Sequence, residues 1–317
     1  MSPETDSIDS KKKGKAAQRR RGKSSIPRPE IAVRSAKGRR SQHVESEIAF
    51  HVAGLNAIPE GEFRDIAELS LGPPLEELAS VVSPVMEVAA SPADRIRVGD
   101  PRQSPWRKVC DLLITARDGG LHTGTAWFIS PRTLVTAGHC IAVFRPGAPA
   151  HGMVSKILVM PARNGETDPS HSAFGWVEVQ QADLRVHDAW RLNGNIDFDF
   201  GAIVLPPNLP LGATVGFFGY GHFPDANLLG ARPTLSGYPD DVPEGTQWFE
   251  TNPIRQVAPN RLFYDIFTVL GQSGSPVFFA NATQQIACAI HNFGDTPFNS
   301  GVRITPPVVA QLNAWRV

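Results

Sequence analysis

From Arg95 onward, short runs of Val, Ile, Leu, Phe and Thr alternate with Gly, Pro, Asn and Asp. The apolar runs predict strands at Val109–Ala116, Gly124–Ile129, Thr133–Thr136, Lys156–Pro161, Trp176–Gln180, Phe200–Leu205, Pro276–Phe279 and Ile286–His291. Many short strands broken by turn residues point to an all-β barrel or sandwich. One helix ends the pattern. Thr305 is its expected N-cap, Pro306 and Pro307 lie in its first turn, and Val308, Val309, Leu312 and Trp315 share a face. No internal repeat is visible.

Upstream of Arg95 the texture differs. Residues 46–90 are mixed, with short amphipathic helices expected at Glu60–Leu69 and Pro74–Val82 on either side of Gly72-Pro73-Pro74. Residues 1–45 are rich in Lys, Arg, Ser and Gly and hold too few large apolar side chains to offset chain entropy, which predicts a disordered basic tail. Overall charge hides this tail, since 31 Lys/Arg balance 31 Asp/Glu. Residues 1–40 carry 13 of the basic residues and four of the acids, which leaves 18 against 27 in the rest. Such a tail suits an anionic partner, either nucleic acid or a charged surface. It lacks interleaved aromatics, so a solvated segment is the plainer alternative. The chain thus divides into a tail at 1–45, an accessory segment or propeptide at 46–87 and a main domain at 88–317.

No N-terminal apolar run follows a short charged region, so no secretory signal is read and a cytoplasmic or non-classically exported protein is expected. No run of 18 apolar residues exists, and no membrane span is expected. Three cysteines, Cys110, Cys140 and Cys288, are an odd and low count for a disulfide scaffold, so buried free thiols are expected. No pattern of metal ligands or cofactor-binding glycines is read.

Three local patterns carry chemistry, in the order His, Asp, Ser. In Leu134-Val135-Thr136-Ala137-Gly138-His139-Cys140, a strand runs into small residues and then an imidazole. In Asn195-Ile196-Asp197-Phe198-Asp199-Phe200, two carboxylates precede an apolar strand. Asp199 abuts that strand, and burying it requires hydrogen bonds such as a histidine N–H supplies. Asp197 reads as part of a solvated turn. In Gly271-Gln272-Ser273-Gly274-Ser275-Pro276, glycines flank Ser273 and permit a tight turn whose backbone N–H groups converge. The amides of Gly271 and Ser273 form such a nest, suited to an oxyanion.

Together these patterns resemble the chymotrypsin-like serine proteases, whose His–Asp–Ser order differs from that of subtilisins and α/β-hydrolases. The resemblance spans about residues 85–317. It implies two six-stranded antiparallel β-barrels with the site in the cleft between them, and a triad of His139, Asp199 and Ser273. It also implies a cysteine partner for Cys140 just before the Gly124-Thr125 strand, but that neighbourhood reads His122-Thr123. The segments Asn164–His171 and Asp188–Asn195 are expected as surface loops.

Finer matches resemble the glutamyl endopeptidases, the branch with the staphylococcal Glu-specific enzyme. That branch implies Thr268, five residues before Ser273, and His291, on the following strand, as donors to a substrate carboxylate. It also implies Val88 as the mature N-terminus, six residues before Asp94-Arg95 and directly after Glu87. Position 267 is Phe, where trypsin-like enzymes carry an aspartate. The expected activity is a serine endopeptidase acting on protein or peptide substrates and preferring Glu or Asp at P1. Alternatives are the same chemistry with a small or apolar P1, or a non-catalytic binding protein on the same fold.

Overall fold

The computed structural model describes residues 94–165, 172–281, 284–294 and 298–317. The basic tail, the accessory segment with its two expected helices, and Val88 lie outside them. Short strands open the described chain: β1 (Ile96–Arg97), β2 (Val109–Thr115), β3 (Leu121–Phe128), β4 (Thr133–Thr136), β5 (Ala142–Val143) and β6 (Gly152–Met153). There follow β7 (Lys156–Pro161), β8 (Val177–Gln180), β9 (Leu184–Val186), β10 (Gly201–Val204), β11 (Gly219–Tyr220) and β12 (Thr234–Gly237). The last six are β13 (Trp248–Thr251), β14 (Ile254–Val257), β15 (Arg261–Tyr264), β16 (Pro276–Ala280), β17 (Gln285–Phe293) and β18 (Asn299–Arg303).

A seven-stranded sheet runs β8-β7-β2-β3-β4-β10-β9, and a nine-stranded one runs β1-β13-β12-β16-β17-β18-β15-β14, with β11 paired beside β17. Every pairing is antiparallel except β11 with β17. The larger sheet includes the two-residue strands β1 and β11.

Alternation along the strands explains how the sheets pack. On β3, Ala126 and Phe128 face one core with Leu112, Leu134, Ile157 and Val179. Trp127 and, on β4, Val135 face the opposite way, into a cluster shared with Phe278 and Ile290 of the second sheet. A third cluster, with Leu235, Leu262, Tyr264 and Val277, fills the second sheet's own interior. The central strands are therefore buried on both faces, which is why they read as continuous apolar runs.

The closing helix packs on the shared cluster. It spans Pro306–Trp315 with two prolines in its first positions, and Val308 and Leu312 are buried there. Thr305 occupies the N-cap position in extended conformation, without a capping hydrogen bond from its side chain. No helix among the described residues is long and apolar enough to cross a membrane.

One expected loop is a helix. Asp188–Asn193 forms a short α-helix because His187 Nδ1 accepts the Ala189 N–H and Gly194 closes it in the left-handed region. Of Asn164–His171, the first two residues of the described part, 164 and 165, belong to no helix or named strand, and the remainder lies outside the described residues.

Thr125 on β3 joins the two halves. Its N–H donates to the Ser273 carbonyl at 2.8 Å and its hydroxyl to the Gly271 carbonyl at 2.9 Å. The same hydroxyl accepts the Tyr238 N–H at 3.1 Å. Thr125→Val keeps the shape but leaves two buried backbone groups unmatched, each worth about 1–3 kcal/mol. We expect a loss of about 2–4 kcal/mol in reversible denaturant unfolding; a loss under about 0.5 kcal/mol would show the link to be dispensable.

Candidate active site

β4 ends in a single 3-10 turn, Gly138–Cys140, that carries His139. Gly138 is required there, since a Cβ would lie 2.8 Å from Asp199 Oδ1 and 2.9 Å from the Phe200 nitrogen. Asp199 ends the neighbouring turn Ile196–Phe198 and leads into β10, which pairs with β4. The pairing sets the two side chains face to face. His139 Nδ1 and Asp199 Oδ2 are 2.7 Å apart, and the His139 backbone N–H donates to Oδ1 at 2.7 Å.

Asp199 is fully buried. A carboxylate on Nδ1 fixes the proton there and leaves Nε2 open as a base. Burial works against charging His139, but the Asp199 carboxylate outweighs it and raises the imidazole well above the usual 6.5. Asp197 lies apart from the histidine, and its Oδ2 accepts from Asn260 at 3.3 Å.

Ser273 stands on a turn in which Gly271 and Gly274 have φ of +86° and +90°. At Gly274 a Cβ would collide with the Thr125 carbonyl and the Thr136 hydroxyl. The turn thus needs glycine both for its handedness and for its contact with the first sheet. The Gly274 N–H is taken by the His291 carbonyl at 2.7 Å and the Ser275 N–H by the Gln272 carbonyl at 3.0 Å. The N–H groups of Gly271 and Ser273, by contrast, meet no acceptor among the described residues. Ser273 is half-buried, whereas Ser275 is fully buried. Cys140 Sγ lies 3.7 Å from the Ser273 carbonyl, so the histidine turn and the serine turn are in contact. All three cysteines are buried and free.

Thr268 lies in the irregular segment before the serine turn, and His291 on β17, which follows it. Thr268 is buried, and its hydroxyl has no hydrogen-bond partner among the described residues. It lies beside Gly294, where a Cβ would be 3.6 Å from Oγ1, just past the end of β17. His291, on β17, is 2% exposed, and its Nδ1 is 2.7 Å from the Tyr264 hydroxyl. Burial pushes this imidazole down to about 3, with His139 and Arg261 adding to the effect. The sequence left room for a charged His291; the structure makes it neutral. Tyr264 is itself buried and held as the phenol, and its hydroxyl shares one hydrogen bond with Nδ1 whose donor is set by the tautomer of His291.

Val88 is outside the described residues, but the chain that follows it is anchored beside Phe267. Arg95 pairs with Asp241 through contacts of 2.8 and 2.7 Å and lies 5.0 Å over the ring of Phe267, the residue before Thr268.

Sequence reasoning missed several residues that hold the site. Asn292 donates to the Asp199 carbonyl and accepts the Val302 N–H at 2.7 Å, tying the aspartate to the second sheet. Its signal was the adjacent polar pair His291-Asn292 at the end of an apolar strand. Tyr264 and Arg261 lie on β15, Arg261–Tyr264, which was not among the expected strands. Thr125 was quoted only as part of a strand.

The depressed His291 value makes a stability prediction. The unfolded chain binds the proton near pH 6.5 and the folded chain only near pH 3, so the stabilisation is full above about 6.5 and falls as pH drops through that window. Denaturant unfolding of the wild type is expected to weaken by up to about 1.4 kcal/mol per pH unit more than that of His291→Gln between these limits. Parallel profiles would contradict the neutral assignment.

Comparison with known proteins places this site in a family. The chain is 35% identical over 231 residues to the glutamyl endopeptidase of Bacillus licheniformis, covering 70% of this chain and 67% of that one. It is 32% identical over 226 residues to a Bacillus subtilis protein named extracellular metalloprotease, with the same coverage of 70% and 67%. Among the described residues no three His, Cys, Asp or Glu are grouped to hold a metal ion. A solved Glu endopeptidase in complex with MPD superposes with a TM-score of 0.60 at 25% identity, over 72% of this chain and 98% of that one. No family model matches. On this similarity and on its two-sheet fold, the chain belongs to the glutamyl endopeptidases, a branch of the chymotrypsin-like serine proteases.

Proposed function

We propose that this serine endopeptidase cuts after glutamate through a triad of Ser273, His139 and Asp199. The observation that carries the triad is the double contact between Asp199 and His139 beside a serine turn with two unused amides. Ser273 Oγ attacks the scissile carbonyl while His139 Nε2 takes its proton. The oxygen that becomes negative is received by the N–H groups of Gly271 and Ser273. The C–N bond then breaks, His139 returns the proton to the leaving amine, and an acyl ester on Ser273 remains. Water, deprotonated by the same imidazole, releases the acid. Asp199 keeps the imidazole in the reactive tautomer and stabilises its charged form.

At P1, the unpaired Thr268 hydroxyl and the Nε2–H of His291 are the donors to a side-chain carboxylate. A cleavage after Glu87 frees the Val88 ammonium as a further ligand for that carboxylate, and Arg95 holds the segment close to Phe267. Residues 1–87 are then removed as the enzyme matures. The basic tail within them suits an anionic partner.

Two measurements test this reading. Because the His139 value is raised, the acid limb of kcat/KM is expected above 6.5, and Asp199→Asn is expected to lower that limb while reducing kcat by about 10⁴. Retained activity in Asp199→Asn or Ser273→Ala would refute the triad. Cleavage of a peptide library is expected to map to bonds after Glu, with Val88 at the N-terminus of active enzyme. Cuts spread evenly over P1 residues would refute the specificity but leave the triad standing, and full activity with an intact N-terminus would refute the maturation step.

A further inference from the structure

Between β15 and β16, residues 265–275 belong to no helix or named strand, yet they carry both Thr268 and Ser273. Backbone that leaves a ladder needs other partners for its buried N–H and C=O groups. Around Thr268, side chains supply them. Asn299 Nδ2 donates to the Ile266 carbonyl at 2.6 Å, and Glu250 Oε2 accepts the Phe267 N–H at 2.9 Å. After Thr268, Gln272 Oε1 accepts the Val269 N–H at 3.0 Å.

Of these three side chains only Glu250 is ionisable. It lies on β13 and is 4% exposed, so its carboxyl is placed at a desolvation cost that a neutral acceptor would avoid. Among the described residues that carboxyl meets two donors, one on each oxygen: the Phe267 N–H on Oε2 and Asn252 Nδ2 on Oε1. Asn252 Nδ2 also reaches the Asp265 carbonyl at 3.4 Å, and its Oδ1 accepts from Arg232 at 3.1 Å. A carboxylate accepts from both donors. An amide of the same shape accepts from one, because its other head atom is itself a donor. The acidic side chain is therefore matched to this pair of donors, and one of them belongs to the residue directly before Thr268.

We propose that Glu250 is a positioning residue for the P1 pocket: its carboxylate, steered by Asn252, fixes the Phe267 N–H and with it the placement of the Thr268 hydroxyl. The inference rests on the reading of Thr268 as a P1 donor. Glu250 acts through the backbone and not on the substrate. A hydroxyl displaced by about 1 Å loses most of its hydrogen bond, so the effect falls on binding of the P1 side chain and spares the chemistry at Ser273.

The test uses active enzyme made from the full chain at pH 8, where the Glu250 carboxyl, raised to about 7 by burial, is ionised. Two readouts separate pocket from triad. One is kcat and KM on peptides with Glu or Ala at P1; the other is the rate at which diisopropyl fluorophosphate, which has no acidic side chain, inactivates Ser273. Glu250→Gln is expected to raise KM for the Glu peptide about tenfold, with kcat and the inactivation rate within about twofold of wild type. Adding Asn252→Asp places an acceptor against the new amide, frees the amide oxygen for Phe267 and leaves Arg232 its acceptor. The double variant is expected to return KM to within about threefold of wild type. An inactivation rate that falls as far as kcat/KM would overturn the proposal and leave a structural role. So would an unchanged KM in Glu250→Gln, or a double variant that recovers nothing. A wild type that does not prefer Glu over Ala would overturn the P1 reading and this inference with it. Should Glu250→Gln not fold, the double variant decides: a KM near wild type supports the positioning role, and a KM still raised about tenfold overturns it.

Discussion

Thr125 is the constraint on which the rest of the site depends. It is a buried strand residue of the first sheet, yet its amide and hydroxyl are spent on the serine turn of the second, at the carbonyls of Ser273 and Gly271. Carbonyls turned toward Thr125 leave the corresponding amides free to face elsewhere, and the N–H groups of Gly271 and Ser273 have no acceptor in the described chain. One β-strand therefore fixes the Ser273 turn from the side opposite its two unaccepted amides. The next strand, β4, bonds back to Thr125 through the Thr136 hydroxyl at 2.7 Å and then delivers His139. His139 and Ser273 thus share a rigid support, the arrangement that the proposed triad requires.

The second sheet returns the constraint. Asn292 holds the Asp199 carbonyl and Arg261 the Ile196 carbonyl, so the aspartate turn of the first half is gripped from the second. Polar side chains buried at such a junction must be matched, because each unmatched group costs free energy comparable to a lost hydrogen bond. Around Asp199 they are matched by neighbours in the protein. Among the described residues the Thr268 hydroxyl is left without a partner, which suits the substrate contact proposed for it.

How much of this was legible depended on how far the cause lay along the chain. Strands buried on both faces stand out as apolar runs, and β4 and β7 match their expected limits residue for residue. Strands β12 to β15 escaped notice because they carry Thr234, Ser236, Glu250, Gln256 and Arg261, polar residues whose partners lie elsewhere in the fold. The helix at Asp188–Asn193 escaped because its cap is a histidine, a residue outside the usual capping set. His139, Asp199 and Ser273 could be picked out because each needs a particular local backbone. Arg261 could not, since its partner is 65 residues away and no local pattern marks it, and Asn292, with its partner 93 residues away, carried only the polar pair His291-Asn292 as a sign.

Two histidines near one cleft show why neighbours matter more than residue type. His139 is raised because a fully buried carboxylate touches its Nδ1, which suits the general-base role proposed for it. His291 is lowered because burial and two cations, His139 and Arg261, disfavour a second positive charge. Environments that push two like groups apart divide their labour. If His291 were charged, it would compete with His139 for the field of Asp199 and would itself lose its proton as pH rises through the working range. On the proposed reading, recognition of the side chain and transfer of the proton fall on two imidazoles whose surroundings push them in opposite directions.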